Sequence, residues 1–200
     1  MNAFARTSGG IALVMGMSLS PPAVTAEASL LSEPEIVIGF ENDSSSGDEF
    51  ISAETSFQAH RAAVWDAFAE ITGYPNLHDW IGEARFVGYT NDDTQEFLIE
   101  FEFPWPIGTR WSRVEVTWEH GSEIYWRQIE GDLNANEGRI SFSSKGDQAH
   151  IHYRAVISVG VPAMLARPYK KKFVCEFLNA IADWVTANSD PASTTALVAH

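Results

Sequence analysis

The stretch AVWDAFAEITGYPNLHDWIGEARFVG (residues 63–88) passes through three kinds of local structure. Its apolar residues between Val64 and Ile71 recur at helical spacing. Pro75 stops any continuation of that helix, because proline lacks an amide hydrogen and disfavours a helical residue before it. The stretch therefore predicts a short helix, a second helix broken at Pro75, and a strand that begins near Trp80.

Alternation of apolar and polar residues continues from Trp80 to Gly160. A period of two is typical of strands with one buried face. Short turn sequences such as NDD (residues 91–93) and KGD (residues 145–147) separate the segments, so we expect an antiparallel meander. The apolar face of the clearest segments consists of Phe97, Ile99, Phe101 and Phe103; of Val114, Val116 and Trp118; and of Ile151, Tyr153, Ala155, Ile157 and Val159.

Two further elements flank the meander. Glu49–Phe57 alternates weakly as a first strand, and apolar residues return to helical spacing over residues 162–187. Pro168 predicts a kink in that helix, or a helix start near this residue. The sum is an α+β fold, in which a curved antiparallel sheet of six to seven strands has two short helices after strand 1 and a long C-terminal helix across its concave face. A lined cavity and a fully packed core are both compatible with this pattern.

Composition limits the class of protein. The chain has 200 residues, 45% of them hydrophobic, which suffices for the core of one domain. Its formal net charge is −14, and this field repels a phosphate backbone, so we expect no nucleic-acid partner. Cys175 is the only cysteine, which excludes an intrachain disulfide and a multi-cysteine metal site. It falls in the apolar helical stretch, where a buried, unreactive thiol is the favoured interpretation.

The two ends of the chain differ from its body. Residues 1–26 carry one charged side chain, Arg6, followed by the apolar run IALVMGMSLS and then Val24-Thr25-Ala26. This order is typical of a cleavable signal peptide, so we expect export to the periplasm or the medium. Residues 27–48 are acidic and predict a solvated linker, although EIVIGF (residues 35–40) could add an edge strand. Residues 188–200 predict a disordered tail, which leaves residues 49–187 as the folded domain.

The order of elements and several short motifs resemble the START-like superfamily, and within it the bacterial polyketide cyclase/dehydrase and coenzyme Q-binding protein group. The segment after the first strand matches the pattern of that group in kind at Val64, Trp65, Tyr74, Pro75 and Trp80. The resemblance covers about residues 50–187 and continues in WRQIEGDL (residues 126–133), in Gly138 with Phe142, in Tyr153, and in Val161-Pro162 before the last helix.

The resemblance implies a helix-grip fold that holds a hydrophobic ligand between the curved sheet and the C-terminal helix. We therefore expect an exported, monomeric protein that binds a lipid, a quinone or a polyketide-like molecule, with no cofactor indicated. Members of the group also include cyclase and dehydratase enzymes, so an enzyme that uses the same cavity stays open as the alternative. The expected ligand-binding residues are Trp80, Phe101, Phe103, Val116, Trp118, Trp126, Arg127, Phe142, Tyr153, Ile157, Phe173 and Phe177.

Two histidine patterns resemble chemical sites. His78 and Asp79 could form an acid/base pair, but adjacent residues rarely present their side chains to one substrate, so a role in the turn is favoured. His150 and His152 share one face of a strand, but that face is the polar one, and a third metal ligand such as His120 would depend on strand pairing. We therefore predict neither a catalytic residue nor a metal site.

The alternation along the strands predicts on which face of the sheet several polar side chains lie. Alternation favours the outer face of the sheet for Arg113 and Glu115, whereas Arg127 or Tyr125 could supply a polar contact inside the cavity, because both faces of their segment are mixed.

A second group of cations, Arg167, Lys170, Lys171 and Lys172, lies close together in sequence at the start of the last helix. This cluster is either the solvated side of the helix or a surface for transient contact with anionic membranes.

Overall fold

The computed structural model describes residues 34–42 and 49–188. The expected signal peptide, residues 27–33 and 43–48 of the expected linker, and the tail beyond residue 188 lie outside the described residues. In chain order the elements are β1 (Val37–Asn42), β2 (Glu49–Phe57), α1 (Arg61–Ala69), a 3₁₀ helix (Ile71–Asn76), β3 (Ile81–Asn91), β4 (Thr94–Phe103), β5 (Gly108–Glu119), β6 (Glu123–Gly131), β7 (Ala135–Lys145), β8 (Gln148–Ser158) and α2 (Ala163–Asn188).

The strands form one antiparallel sheet with the order β1-β2-β8-β7-β6-β5-β4-β3. From β3 to β8 each strand pairs with its neighbour in sequence, as expected for a meander. The α+β class and the order of its elements are confirmed, but the sheet has eight strands rather than six to seven. The additional strand is β1, the alternative that the EIVIGF segment left open: it pairs along the free edge of β2, with Val37 opposite Glu54.

Alternation along each strand creates one apolar face. In β4, Phe97, Ile99, Phe101 and Phe103 are buried, and the intervening residues are more exposed. In β6 the buried face starts at Ile124, so Trp126 and Gln128 follow it inward while the side chains between them turn outward. Burial of this face supplies most of the favourable free energy of folding.

The segment between α1 and β3 packs at one end of the sheet. Helix α1 ends at Ala69 and the 3₁₀ helix contains Pro75, so the predicted second helix is present, but the break lies before Pro75 and not at it. The hydroxyl of Tyr74 donates a hydrogen bond of 2.6 Å to the carbonyl oxygen of Phe68, and this bond joins the 3₁₀ helix to α1.

Helix α2 covers the buried face of the sheet. Its 26 residues correspond to a length of ~39 Å, and its buried side chains concentrate after Lys172. The helix begins at Ala163 and contains Pro168, so a start near Pro168 is not observed. Leu165 falls within the apolar spacing of residues 162–187 and was expected to be buried, but it is 62% exposed; in the first turns of α2 only Ala166 is buried. No helix in residues 34–42 and 49–188 is long and apolar enough to cross a membrane.

Candidate functional site

A cavity of about 90 Å³ lies between the sheet and α2. Strands β3 to β8 contribute its walls, the 3₁₀ helix closes one side, and Phe173 and Phe177 of α2 cover it. Its surface is almost entirely hydrocarbon, so it favours an apolar occupant. The lining residues are Ile71, Tyr74, Ile81, Ile99, Phe101, Val114, Val116, Ile124, Trp126, Asn136, Ile140, Tyr153, Ile157, Phe173 and Phe177.

A second cavity of about 10 Å³ lies beside the first, toward the start of α2. Ile157 and Phe173 line both cavities, and we call this pair the partition. An engineered apolar cavity of about 150 Å³ accepts benzene. Because the main cavity is smaller than this, even a single-ring ligand requires that the partition or α2 move outward.

A chain of hydrogen bonds crosses β5, β6 and β7 at the polar end of the cavity. The indole Nε1 of Trp126 donates to Oδ1 of Asn136 (3.0 Å), and Nδ2 of Asn136 donates to the hydroxyl of Ser112 (3.2 Å). Ser112 donates to Oε1 of Gln128 (2.8 Å), whose Nε2 donates to the carbonyl oxygen of Leu133 (2.8 Å). Buried polar groups are stable when satisfied in this way, so the chain fixes the side chain of Trp126.

Two tyrosines line the cavity, and their hydroxyls differ. The Tyr74 hydroxyl is used by the carbonyl of Phe68, whereas the Tyr153 hydroxyl has no hydrogen-bond partner among the described residues. Burial raises the pKa of both phenols, and for Tyr74 the proximity of Tyr153 and Glu70 raises it further. Both side chains are therefore neutral near pH 7, and each can donate a hydrogen bond but cannot act as a base.

Glycine at position 138 allows the close approach of Trp126. A Cβ atom at Gly138 would lie 2.5 Å from Cζ2 of Trp126 and 2.6 Å from the carbonyl oxygen of Arg154. Since real Cβ atoms are not found at such distances from other heavy atoms, the indole can lie over β7 only where that strand has no side chain.

His78 lies behind the cavity, packed against Trp80 and Phe173 with ring-centroid distances of 5.8 and 4.8 Å. Its Nδ1 accepts a hydrogen bond from the backbone N–H of Trp80 (3.0 Å), so the neutral ring carries its hydrogen on Nε2. That nitrogen has no hydrogen-bond partner among the described residues and lies 3.7 Å from Oε2 of Glu176. Asp79 is exposed, so the two residues do not form an acid/base pair; the position agrees with the predicted role in the turn.

The pKa of His78 is lowered by burial, which outweighs the opposite effects of Glu176, Asp79 and the backbone of Phe173, while Lys172 lowers it further. Because the unfolded chain holds the proton more tightly, the free energy of unfolding is highest above the unfolded pKa, about 6.5, and falls as the pH decreases below it. One proton changes the stability by at most about 1.4 kcal/mol per pH unit. We expect His78→Asn, which keeps an acceptor near Nδ1 but cannot be charged, to be less sensitive to acid.

Urea unfolding between about pH 7.5 and pH 5 measures this difference. The matched control is His152→Asn, which removes a histidine from the outer face of the sheet and should keep the acid sensitivity of the wild type. Parallel losses of stability in the wild type and His78→Asn would assign the acid sensitivity to other groups.

The structure brings seven of the twelve predicted ligand-binding residues to the main cavity: Phe101, Val116, Trp126, Tyr153, Ile157, Phe173 and Phe177. Phe103 lines only the smaller cavity. Trp80 packs against Phe103 and Phe173 behind the cavity wall. Trp118 and Phe142 contact Trp65 of α1 and lie outside the cavity lining.

Arg127 is placed outside the cavity, which corrects its assignment as a ligand-binding residue. Its side chain is 69% exposed, and its Nη2 donates to Glu115 across β5 and β6 at 3.1 Å. Tyr125 is also on the outer face and bonds to Glu123. Arg113 pairs with Glu96 on the same outer face, as alternation indicated. The cause is the inward position of Ile124, which turns every second residue of β6 toward solvent.

Sequence reasoning missed Asn136, the polar residue of the lining. NANEG (residues 134–138) has the composition of a turn, but Ala135 already begins β7, and Asn136 faces the cavity. The missed apolar residues Ile71, Ile81, Ile99, Val114, Ile124 and Ile140 all occupy inward positions, and strand alternation was a usable signal for several of them.

The outer histidines form no metal site in the described part of the chain. His150 Nδ1 lies 2.7 Å from the hydroxyl of Ser56, and no group of three or more potential metal ligands is present in residues 34–42 and 49–188.

Solved structures similar to this chain share its fold at low sequence identity. A START superfamily protein from Mycobacterium smegmatis is 15% identical, with a TM-score of 0.61 over 69% of this chain and 97% of that chain. A STAR-related lipid transfer protein from Xanthomonas axonopodis is 15% identical, with a TM-score of 0.62 over 76% and 93% of the two chains. The Zhui aromatase/cyclase from Streptomyces sp. R1128 is 11% identical, with a TM-score of 0.60 over 72% and 96%.

No protein-family model matches the sequence, and no curated protein matches it significantly. At identities of 11–15% the structural similarity establishes the fold and not the activity. The helix-grip fold expected from the sequence is confirmed, because these START-like structures share the fold of this chain.

Proposed function

We propose that this protein binds a hydrophobic small molecule, such as a lipid, a quinone or a polyketide-like compound, between the sheet and α2. The observation that carries the proposal is the apolar cavity of about 90 Å³ inside an otherwise packed aromatic core. Interiors of domains are close-packed, and an unfilled space weakens them. A cavity at the position where this fold can enclose a ligand is therefore best explained by ligand binding.

Binding would be driven by the removal of apolar surface from water, worth about 25 cal/mol per Å² before the costs of ordering are subtracted. The cavity accommodates only a small molecule as it stands. A lipid or polycyclic ligand would displace Phe173 and enlarge the space into the smaller cavity, since the partition separates the two. Protein purified with its ligand bound is thus expected to have a higher melting temperature than protein purified without it.

Native mass spectrometry of the protein from its own host tests this proposal directly. We expect a monomer with an additional mass that is lost on denaturation and recovered unchanged in an organic extract. The stripped protein should then take up members of a panel of lipids and quinones. A protein that is empty as isolated and rejects the whole panel would falsify the proposal.

The enzyme alternative requires ionisable groups that converge in the cavity and have opposed pKa shifts. The described lining contains only Tyr74 and Tyr153 as titratable groups, and the pKa values of both are raised. No specific observation therefore favours a cyclase or dehydratase over a binding protein.

We propose export on the basis of the sequence of residues 1–26 alone. Amino-terminal sequencing of the protein from fractionated cells should find Glu27 as the first residue in the exported fraction. Recovery of the chain with residues 1–26 intact in the cytoplasmic fraction would contradict export.

We propose that the start of α2 makes transient contact with anionic membranes. Arg167 and Lys170 form ion pairs with Glu49, at 2.6 and 3.5 Å, and Lys172 pairs with Glu176 at 3.6 Å. These ion pairs reduce the positive charge available to lipid headgroups. Lys171 is exposed, and it is therefore the residue of this group that we expect to contact the headgroups most strongly. The replacement of Lys170, Lys171 and Lys172 by glutamine should weaken sedimentation with anionic vesicles; unchanged sedimentation would refute the contact.

A further inference from the structure

At the polar end of the cavity, the two ends of the chain of hydrogen bonds determine which group donates and which accepts in every bond of that chain. The carbonyl oxygen of Leu133 can only accept, so Gln128 must present its amide nitrogen there and its oxygen to Ser112. The indole of Trp126 can only donate, so Asn136 must present its oxygen to Trp126 and its nitrogen to Ser112. All four side chains are thereby committed to one another, and this chain holds Trp126 in a single orientation.

Trp126 in turn supports Tyr153. The two rings lie 5.7 Å apart with an interplanar angle of 35°, and both residues line the cavity. The Tyr153 hydroxyl has no hydrogen-bond partner among the described residues. It is also not completely enclosed by protein atoms. Because Tyr153 is only 5% exposed, the space that remains in contact with its hydroxyl is the cavity.

The same wall offers nothing that could neutralise a charged ligand. Among the described residues no Asp, Glu, Lys, Arg or His lines the main cavity, and Lys170, which lines the smaller cavity, is already paired with Glu49. A carboxylate or an ammonium group without a buried partner is strongly disfavoured in such surroundings. Charged side chains of the neighbouring strands pair on the opposite face of the sheet, Arg113 with Glu96 and Arg127 with Glu115.

A buried donor without an acceptor is costly. A phenol hydroxyl donates well, and its best partner in an apolar cavity is a neutral acceptor such as a carbonyl oxygen. We infer that the ligand is an uncharged, mainly apolar molecule with a carbonyl oxygen, and that this oxygen accepts a hydrogen bond from Tyr153. The inference rests on the proposed function and adds the chemical class of the ligand to it.

Three probes of nearly equal size test this class: ethylbenzene, acetophenone and benzoate. Each contains one ring, so each requires a smaller expansion of the main cavity than a polycyclic ligand would. Binding is followed by NMR titration of the full chain at pH 7, with the indole N–H signal of Trp126 as a reporter in the cavity wall. We expect ethylbenzene and acetophenone to bind and benzoate to leave the indole signal unchanged.

The decisive variant is Tyr153→Phe, which removes the hydroxyl and keeps the ring. It should weaken acetophenone binding about fivefold relative to ethylbenzene, the loss of one net hydrogen bond. The matched control is Tyr74→Phe, which removes the other hydroxyl of the lining. Since that hydroxyl is bonded to Phe68, its loss should change the affinities for both probes by the same factor.

The outcomes separate the inference from the proposed function. An equal change for the two neutral probes in Tyr153→Phe would overturn the hydrogen bond, for instance because a water keeps the hydroxyl satisfied, while ethylbenzene binding would still support the hydrophobic site. Benzoate binding as tight as that of acetophenone would overturn the neutral class. If neither neutral probe binds, the inference fails, whereas the proposed function is decided separately by the panel of lipids and quinones.

Discussion

Replacement of Phe173 by alanine is expected to destabilise the empty protein by about 3–5 kcal/mol and at the same time to widen its range of ligands. The loss follows from the removal of a buried ring and from the cavity that remains, as in other large-to-small core substitutions. Phe173 is the central ring of the cluster beneath α2, and its ring contacts are His78, Trp80, Phe101, Phe103 and Phe177.

The wider range of ligands follows from the position of Phe173 in the partition between the two cavities. Without its ring the cavities of about 90 and 10 Å³ would merge, and the merged space would include the volume of the ring itself. Larger molecules would then enter without displacing α2. The variant should therefore bind tetralin and phenanthrene more tightly, relative to ethylbenzene, than the wild type does.

Urea unfolding and NMR titration with the three hydrocarbons measure the two effects separately. Phe86→Ala is the matched control, because Phe86 is 42% exposed and lies on the edge strand β3. It should lose less stability and leave the order of affinities unchanged. If Phe173→Ala loses stability but keeps the ligand preference of the wild type, Phe173 does not limit the size of the ligand.

Replacement of Gly138 by alanine is expected to cost about 3 kcal/mol, although it adds only one methyl group. Overpacking in a core typically costs about 1–3 kcal/mol, and here the added atom would meet the backbone oxygen of Arg154, at 2.6 Å, as well as the ring of Trp126. The backbone cannot rotate away as a flexible side chain would. Displacement of Trp126 would also break its hydrogen bond to Asn136.

Thermal unfolding and the indole N–H signal of Trp126 report these two consequences. We expect a melting temperature lower by about 10 °C and a changed chemical shift of that signal. Gly88→Ala is the matched control: Gly88 also lies in a strand, and a Cβ atom there would meet nothing within 4 Å. Comparable losses in the two variants would show that strand glycines are sensitive for a reason other than the contact with Trp126.

Much of the fold follows from local patterns in the sequence. The inward residues of β4, β5 and β8 were predicted correctly because strict alternation leaves one consistent assignment of faces. Two short helices after the first long strand were predicted, although α1 ends at Ala69 and the 3₁₀ helix contains Pro75 instead of breaking there. The long C-terminal helix was predicted because its apolar spacing extends over many turns.

The parts that sequence could not decide depend on contacts between distant elements. Arg127 and Trp126 were equally compatible with the cavity until the pairing of β6 with β5 placed Arg127 beside Glu115. Trp118 alternates with the inward residues of β5 but lies beyond the cavity, under α1, where it contacts Trp65. Asn136 resembled a turn residue because its partners Ser112 and Trp126 come from other strands.

Burial is uneven along α2, so the local opening of its first turns and the global unfolding of the protein differ in free energy. From Ala163 to Lys172 only Ala166 is buried, whereas Phe173, Val174, Phe177, Leu178, Ile181 and Val185 anchor the rest of the helix. Segments with few buried contacts open locally at a free energy far below that of global unfolding. Backbone amides of the first ten residues of α2 should thus exchange their hydrogens faster than those after Phe173. If the proposed function is correct, this local opening sets the kinetics of ligand entry and release, while the sheet keeps its hydrogen bonds throughout.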